Sequence, residues 1–329
     1  MLGALLNGVK VDIPTGLTDL EQEGWNSGLQ MPDMASLRPM SWLSTEKWKV
    51  GSVICDFDNA AGARDKTSAR EVTKIQLQTL ESMGFKPMGS ALAEFTLFYK
   101  SSIKPIPLHE NVSRLLAQLT QAFEESRILV QNVFSDSEQP NELSVVGQHW
   151  LAGQLEHNAA ICAVAKPTVN CYREFMGETL KGVKTKDHVN TSWTADHKES
   201  TPRIKLLWDG ESLILQDCIA SSACNPYLAT AAMMAAGIDG LTKQMELPTM
   251  ESQSVSVQPT LSLGDALSSL KRDSSMKSQL GALFVERYLY VKTDFEIKRV
   301  QKATLYEENN DGSNICPFQI DRELYLLNL

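Results

Sequence analysis

With 329 residues the chain is long enough for about two domains and a sizeable buried core, which excludes a small stapled scaffold. Its 31 basic and 40 acidic residues leave a net charge of −9 with no Lys/Arg stripe, which disfavours nucleic acid and anionic membranes as partners, because both need a basic patch. Hydrophobic residues make up 43% of the chain, yet no apolar run approaches the ~20 residues that a membrane helix requires.

In chain order, the apolar opening Met1 to Leu6 lacks a positive flank and a small-residue cleavage pattern. It reads as a strand or a truncated element. Lys49 to Phe57 reads as a buried strand. Ser68-x-x-Glu71 forms a capping box, Val72, Ile75, Leu80 and Met83 fall near one helical face, and Gly84 supplies a stop. Phe95, Leu97 and Tyr99 alternate in a second strand, so this part reads as α+β. Val112, Leu115, Leu116, Leu119 and Phe123 predict an amphipathic helix over about 111–125. One further helix is expected from about Leu143 to Ala165, ending at Pro167, whose missing N–H and ring break the ladder.

Asn225-Pro226, an N-cap followed by proline at the first helical position, predicts an Ala- and Met-rich buried helix running to Gly237 or Gly240. Residues from about Thr242 to Thr260 read as a long surface loop. Leu280, Leu283, Phe284, Tyr288, Val291 and Phe295 mark a long helix, and Ile315 to Leu329 a patterned tail. Cys55, Cys162, Cys171, Cys218, Cys224 and Cys316 are scattered and form no metal knuckle or disulfide framework, so buried reduced thiols are expected.

The local signatures of a phosphate loop, a dinucleotide fold, a zincin and a hydrolase elbow are missing. His149 and His157 lie eight apart on a predicted helix, but no Asp or Cys follows at ligand spacing, so a structural role outweighs a metal site. Asp196 to Glu199 is a mixed charge run typical of a solvated turn. The residues alone define an α+β globular protein.

Four blocks in order add a resemblance: Gly89 to Phe98 (GSALAEFTLF), Pro167 to Tyr172 (PTVNCY), Trp193 to Arg203 (WTADHKESTPR) and Asn225 to Gly240 (NPYLATAAMMAAGIDG). Together they resemble the class I glutamine synthetases, and Asn132 to Asp136, Ser144, Gly153, His157 and Leu263 to Lys302 extend the likeness over most of the chain from about Met31. The resemblance implies a glutamine synthetase-like α+β fold. Residues 1–85 would form a partial β-grasp domain with its connecting helix, and residues 86–329 a catalytic-type α/β domain with C-terminal helices, shortened internally near 124–132. It also implies a homo-oligomer, a dodecamer of two hexameric rings with each site between neighbouring subunits.

The family's enzymes activate glutamate with ATP and form the amide with ammonia, using divalent cations held by carboxylates and a histidine. A hard cation wants anionic oxygen. Where the family reads G-x-E-x-E-F, this chain keeps Glu94 and places Leu92 at the other carboxylate, leaving Glu94 as the surviving candidate metal ligand. The family's N-R-S turn becomes His197-Lys198-Glu199, and lysine does not reproduce a bidentate guanidinium. Arg203 does match a family arginine. At the family's R-x-E-x-R stand Ile214, Gln216 and Cys218, and Glu174 occupies the place of an arginine that faces the substrate carboxylate. The stretch between Phe123 and Asn132 lacks the family's H-x-E, G-Q-x-E and G-x-x-H-x-H segments.

At about 1.5–3 kcal/mol per charge-assisted contact, four lost contacts remove roughly 6–12 kcal/mol, on the order of 10⁴–10⁸ in binding or rate. The resemblance with these departures implies a catalytically dead, cytoplasmic scaffold with no metal and no cofactor. Its implied role is structural or chaperone-like, with lens intermediate-filament proteins as partner, although no filament-binding motif is visible. The alternative is an ATP-dependent ligase joining glutamate to ammonia or another amine.

Overall fold

The computed structural model describes residues 9–11, 28–59, 62–89, 143–172, 193–194, 204–208, 213–248, 260–298 and 300–301. The chain is α+β and divides into two compact units, residues 1–71 with 89–134, and residues 72–88 with 135–329. The opening segment Met1 to Leu6, the strand through Phe95, the helix over 111–125, most of the predicted 242–260 loop and the tail from Ile315 lie outside the described residues.

In the first unit, β1 (Val9–Val11), β2 (Gly28–Pro39) and β3 (Gly51–Asn59) form an antiparallel sheet in that order. The predicted strand at Lys49 to Phe57 is β3, shifted by two residues, but it is half-buried to exposed rather than buried, with Ile54 43% exposed. Gly28 is required by its register: a Cβ there would lie 2.4 Å from the Asp58 carbonyl oxygen. Three carboxylates and two guanidinium groups knit this unit together. Arg70 joins Asp33 to Asp56, with Nη1 3.0 Å from Asp56 Oδ1, and Arg64 joins Asp56 to Asp58, with Nε 3.1 Å from Asp58 Oδ1. The Arg70 hydrogen bond holds the Asp33 carboxyl below its ordinary value.

Helix α1 (Ala69–Ser82) begins directly after Ser68 and ends as the sequence predicts. Gly84 has φ +84°, its N–H reaches the Glu81 carbonyl, and the Phe85 N–H reaches Leu80, the paired bonds of a Schellman stop. From Val72 onward this helix belongs to the second unit. Two polar residues on its buried face are tied down there: Thr73 donates to the Tyr227 carbonyl at 2.8 Å and Gln76 to the Gln279 carbonyl at 2.6 Å.

The second unit corrects three sequence expectations. The single helix expected over 143–165 is two, α2 (Val145–Glu156) and α3 (Asn158–Ala165), broken at His157. Ser144 caps α2 by accepting from the Gly147 N–H. The Ala-rich helix, α4 (Pro226–Lys243), starts as predicted, with Asn225 Oδ1 accepting from Tyr227 and Leu228. It does not stop at either glycine but ends at Gln244, which adopts a left-handed conformation with φ 50°. The glycines are crossing points instead. A Cβ on Gly240 would meet the His149 carbonyl oxygen at 2.1 Å, and one on Gly153 the Ala236 carbonyl oxygen at 2.2 Å, so α2 and α4 touch backbone to backbone.

The long helix expected from Leu280 starts two residues later, at Ala282, and widens to a π-helix from Val291. Helices α5 (Leu263–Arg272), α6 (Ser274–Leu280) and α7 (Ala282–Tyr290) are separate, and Gly281 with φ +93° breaks the chain between the last two. A wide π-helical stretch, Val291–Ile297, follows α7. Leu283, counted on the apolar face from sequence, is 55% exposed. The core of this unit gathers Ile161, Val164, Ala231, Ala235, Leu263, Leu270, Met276 and Val285, drawn from α3 to α7.

Candidate functional site

A second small sheet carries two of the candidate site positions, Ile214 and Gln216. Strand β4 (Trp193–Thr194) runs parallel to β5 (Ile204–Trp208), which pairs antiparallel with β6 (Leu213–Asp217). Ile204 and Leu206 are buried against Leu151 and Leu155 of α2, with Leu215 packed alongside. The register sets Ile204 opposite Asp217 and Leu206 opposite Leu215, so these residues share the helix-facing side of the sheet. Lys205 opposite Gln216 and Leu207 opposite Ile214 therefore share the other side.

The structure thus brings Ile214 and Gln216 onto one side of one strand, with Cys218 just beyond its end. Cys218 is exposed. An aliphatic chain, a neutral amide and a thiol offer no carboxylate for a hard cation and no guanidinium for a phosphate, so these three side chains do not fit Mg²⁺ or a nucleotide polyphosphate. Lys205 is a cation on this face that sequence reasoning passed over. Only the strand register reveals it, as the cross-strand neighbour of Gln216. Leu92, Glu94, Glu174, Lys198 and Arg203 lie outside the described residues.

The connection from β6 to α4 is built from local polar bonds. Asp217 Oδ1 accepts from the Ile219 N–H at 2.9 Å, turning the chain off the strand. Ser221 N–H donates to the Ala165 carbonyl at the end of α3. Ser221 Oγ also lies 3.2 Å from Cys171 Sγ, whose other neighbour is Thr168 Oγ1 at 3.1 Å. The PTVNCY and NPYL blocks, more than 50 residues apart in sequence, therefore flank one junction. Tyr172 is buried there and donates to the Cys162 carbonyl, and Tyr288 of α7 donates to Ala163. Burial raises both phenols well above their ordinary value.

The thiols differ from the expectation of uniform burial: Cys162 is buried, Cys55, Cys171 and Cys224 are half-buried, and Cys218 is exposed, all as free thiols. Cys316 lies outside the described residues. Burial, with Cys171 nearby, raises the Cys224 thiol. Among the described residues no group of three His, Cys, Asp or Glu is placed to hold a metal ion. His149 turns its Nδ1 to the Met245 carbonyl at 2.7 Å, and His157 is enclosed by carboxylates.

These features define a glutamine synthetase-type architecture: the sequence signature "Glutamine synthetase, catalytic domain" matches residues 126–309, more than half of the chain, and the chain belongs to that family. Within the family it is similar to lengsin. Dog lengsin is 23% identical over 347 residues, covering 80% of this chain and 59% of its own, and human lengsin is 23% identical over 358 residues, covering 83% and 69%. The chain thus spans about three-fifths of the dog protein. Glutamine synthetase of Methanocaldococcus jannaschii is 30% identical over 172 residues, covering 48% of this chain and 36% of its own.

The fold is shared with solved structures of GmaS. The ligand-free form superposes with a TM-score of 0.62 at 18% identity, covering 99% of this chain and 91% of that one. The ADP complex gives 0.63 at 17% with the same coverage. Among the described residues no helix is long and apolar enough to cross a membrane.

Proposed function

We propose that the chain is a non-catalytic, glutamine synthetase-like scaffold whose role parallels that of a lens structural protein. The observation that carries this reading is the second face of β6, where the neutral Ile214 and Gln216 share one side of the strand; by resemblance they and Cys218, just beyond it, stand at the family's R-x-E-x-R. By that resemblance three charges are replaced by neutral groups that supply no carboxylate for a hard cation and no positive charge for phosphate. Leu92, Glu174 and Lys198 extend the same pattern in sequence to the metal, substrate and phosphate positions, and leave Glu94 and Arg203 as isolated survivors.

In this reading residues 1–85 are the partial β-grasp domain with its connecting helix and residues 86–329 the catalytic-type domain, shortened near 124–132. The product of folding is a cytoplasmic homo-oligomer, a dodecamer of two hexameric rings, acting as a chaperone-like or structural component with intermediate-filament proteins. Its family is one of homo-oligomers, and the similarity to lengsin supports the lens assignment.

A second reading, an ATP-dependent ligase acting on glutamate and ammonia or another amine, is favoured by Lys205, a cation on the same face as Gln216. The glutamine synthetases that match about half of the chain favour it too. Isothermal titration with Mg-ATP, alongside amine-dependent phosphate release and light scattering on the same preparation, separates the two. The scaffold reading expects no heat of binding, no phosphate release and a ring-sized particle. Micromolar nucleotide binding with amine-dependent phosphate release overturns it in favour of the ligase.

A further inference from the structure

We propose that His157 is a proton-dependent tie: as an imidazolium it fastens the break between α2 and α3 simultaneously to α4 and to the α5–α6 link, and deprotonation undoes the fastening. The proposal is independent of whether the chain is catalytic. It starts from a buried ring with a carboxylate on each nitrogen. His157 Nδ1 lies 2.6 Å from Asp273 Oδ2 and Nε2 lies 2.8 Å from Asp239 Oδ2, with side-chain exposures of 7%, 17% and 8% respectively.

An ionised carboxylate is only an acceptor, so each ring nitrogen must carry a proton for both bonds to exist. The neutral ring has one proton and would turn a lone pair toward one carboxylate in a poorly solvated site. The other groups facing the ring fit the charged state. On α4, Lys243 Nζ is 2.8 Å from the same Asp239 oxygen and also donates to Ser275 of α6. On the α5–α6 link, the second oxygen of Asp273 accepts from the Met276 N–H and caps α6. On the ring's own side, Glu156 is exposed. Two cations and two carboxylates therefore balance across three helical elements that are far apart in sequence.

The electrostatics point the same way. Burial opposes the imidazolium, but Asp273 and Asp239 outweigh it and hold His157 above its ordinary 6.5. Burial also opposes both carboxylates, yet Lys243 and His157 bring Asp239 below 3.8, and His157 with the Met276 N–H does the same for Asp273. A raised imidazole contributes stability that is complete below its unfolded value of 6.5 and lost as pH rises through the folded value. The lowered carboxylates contribute stability present above 3.8 and lost as pH falls through theirs. The tie is therefore complete from 3.8 to 6.5 and weakens on both sides.

The test uses the full chain labelled with ¹⁵N-histidine, with His157→Gln to assign the signal. At pH 6.5, the midpoint of an ordinary imidazole, the His157 ring is expected to be predominantly protonated on both nitrogens, and a predominantly neutral-tautomer pattern there overturns the proposal. Urea unfolding from pH 5.5 to 9 supplies the second readout. The folding constant of the wild type, relative to His157→Gln, is expected to fall by about tenfold or more with rising pH, the scale of one hydrogen bond to a charged group. Parallel pH profiles overturn the proposal. Should His157→Gln not fold, Asp273→Asn keeps a capping oxygen but drops the charge and must lower the wild-type His157 titration midpoint; an unmoved midpoint is fatal.

Discussion

The helical part of the second unit and the outer face of β6 treat charge in opposite ways. Between the helices, His157, Asp239 and Asp273 are enclosed and partnered, with the exposed Lys243 reaching in to Asp239, and the backbones of α2 and α4 meet at glycines that admit no side chain. On β6, Ile214 and Gln216 stand, by resemblance, where a charged site is expected and are themselves uncharged. The contrast teaches that the architecture and the site are separable. Packing constrains the first through sterics and buried ion pairs, whereas a binding face answers to the chemistry of its ligand.

The steepest way to break this comparison is at the helix crossing. Gly240→Ala and Gly153→Ala each drive a methyl group into a carbonyl oxygen of the facing helix, so the backbone itself must give way. A loss of about 3 kcal/mol, at the upper end of overpacking costs, is expected in urea denaturation of either variant. A change within error would show that the crossing is loose.

A smaller effect is expected at the start of α4. Asn225→Ala removes an oxygen that accepts from Tyr227 and Leu228, which should cost about 1 kcal/mol in the same measurement, with Asn225→Ser recovering most of it. On the β6 face the smallest response is expected. Gln216→Glu and Cys218→Ser should each change stability by no more than about 0.5 kcal/mol, because this side of the strand is not part of the buried core. A large loss there would mean that the face is structurally committed and that the separation drawn above is false.

Some of this was readable without coordinates. Helix α1 and the start of α4 follow from local rules: Gly84 in a left-handed conformation, Asn225 with Pro226, the spacing of apolar residues. Such signals act over three or four residues. Gly237 and Gly240 carry the same letters as a helix stop but serve close approach, and only the neighbouring helix distinguishes the two uses. The break at His157 had no sequence signal either, because its partners follow 82 and 116 residues later.

For the candidate site the division is similar. That Ile214, Gln216 and Cys218 carry no formal charge was legible from the sequence, since side-chain chemistry is written there and needs no fold. That Ile214 and Gln216 share one face with Lys205 was decided by the antiparallel register of β5 and β6. The sequence by itself determined which groups are present and which local turns and caps form, because those depend on covalent chemistry and short-range sterics. Only the tertiary structure decided which distant groups meet, and with them the charge state of a buried histidine, because burial and electrostatic pairing are properties of the packed chain.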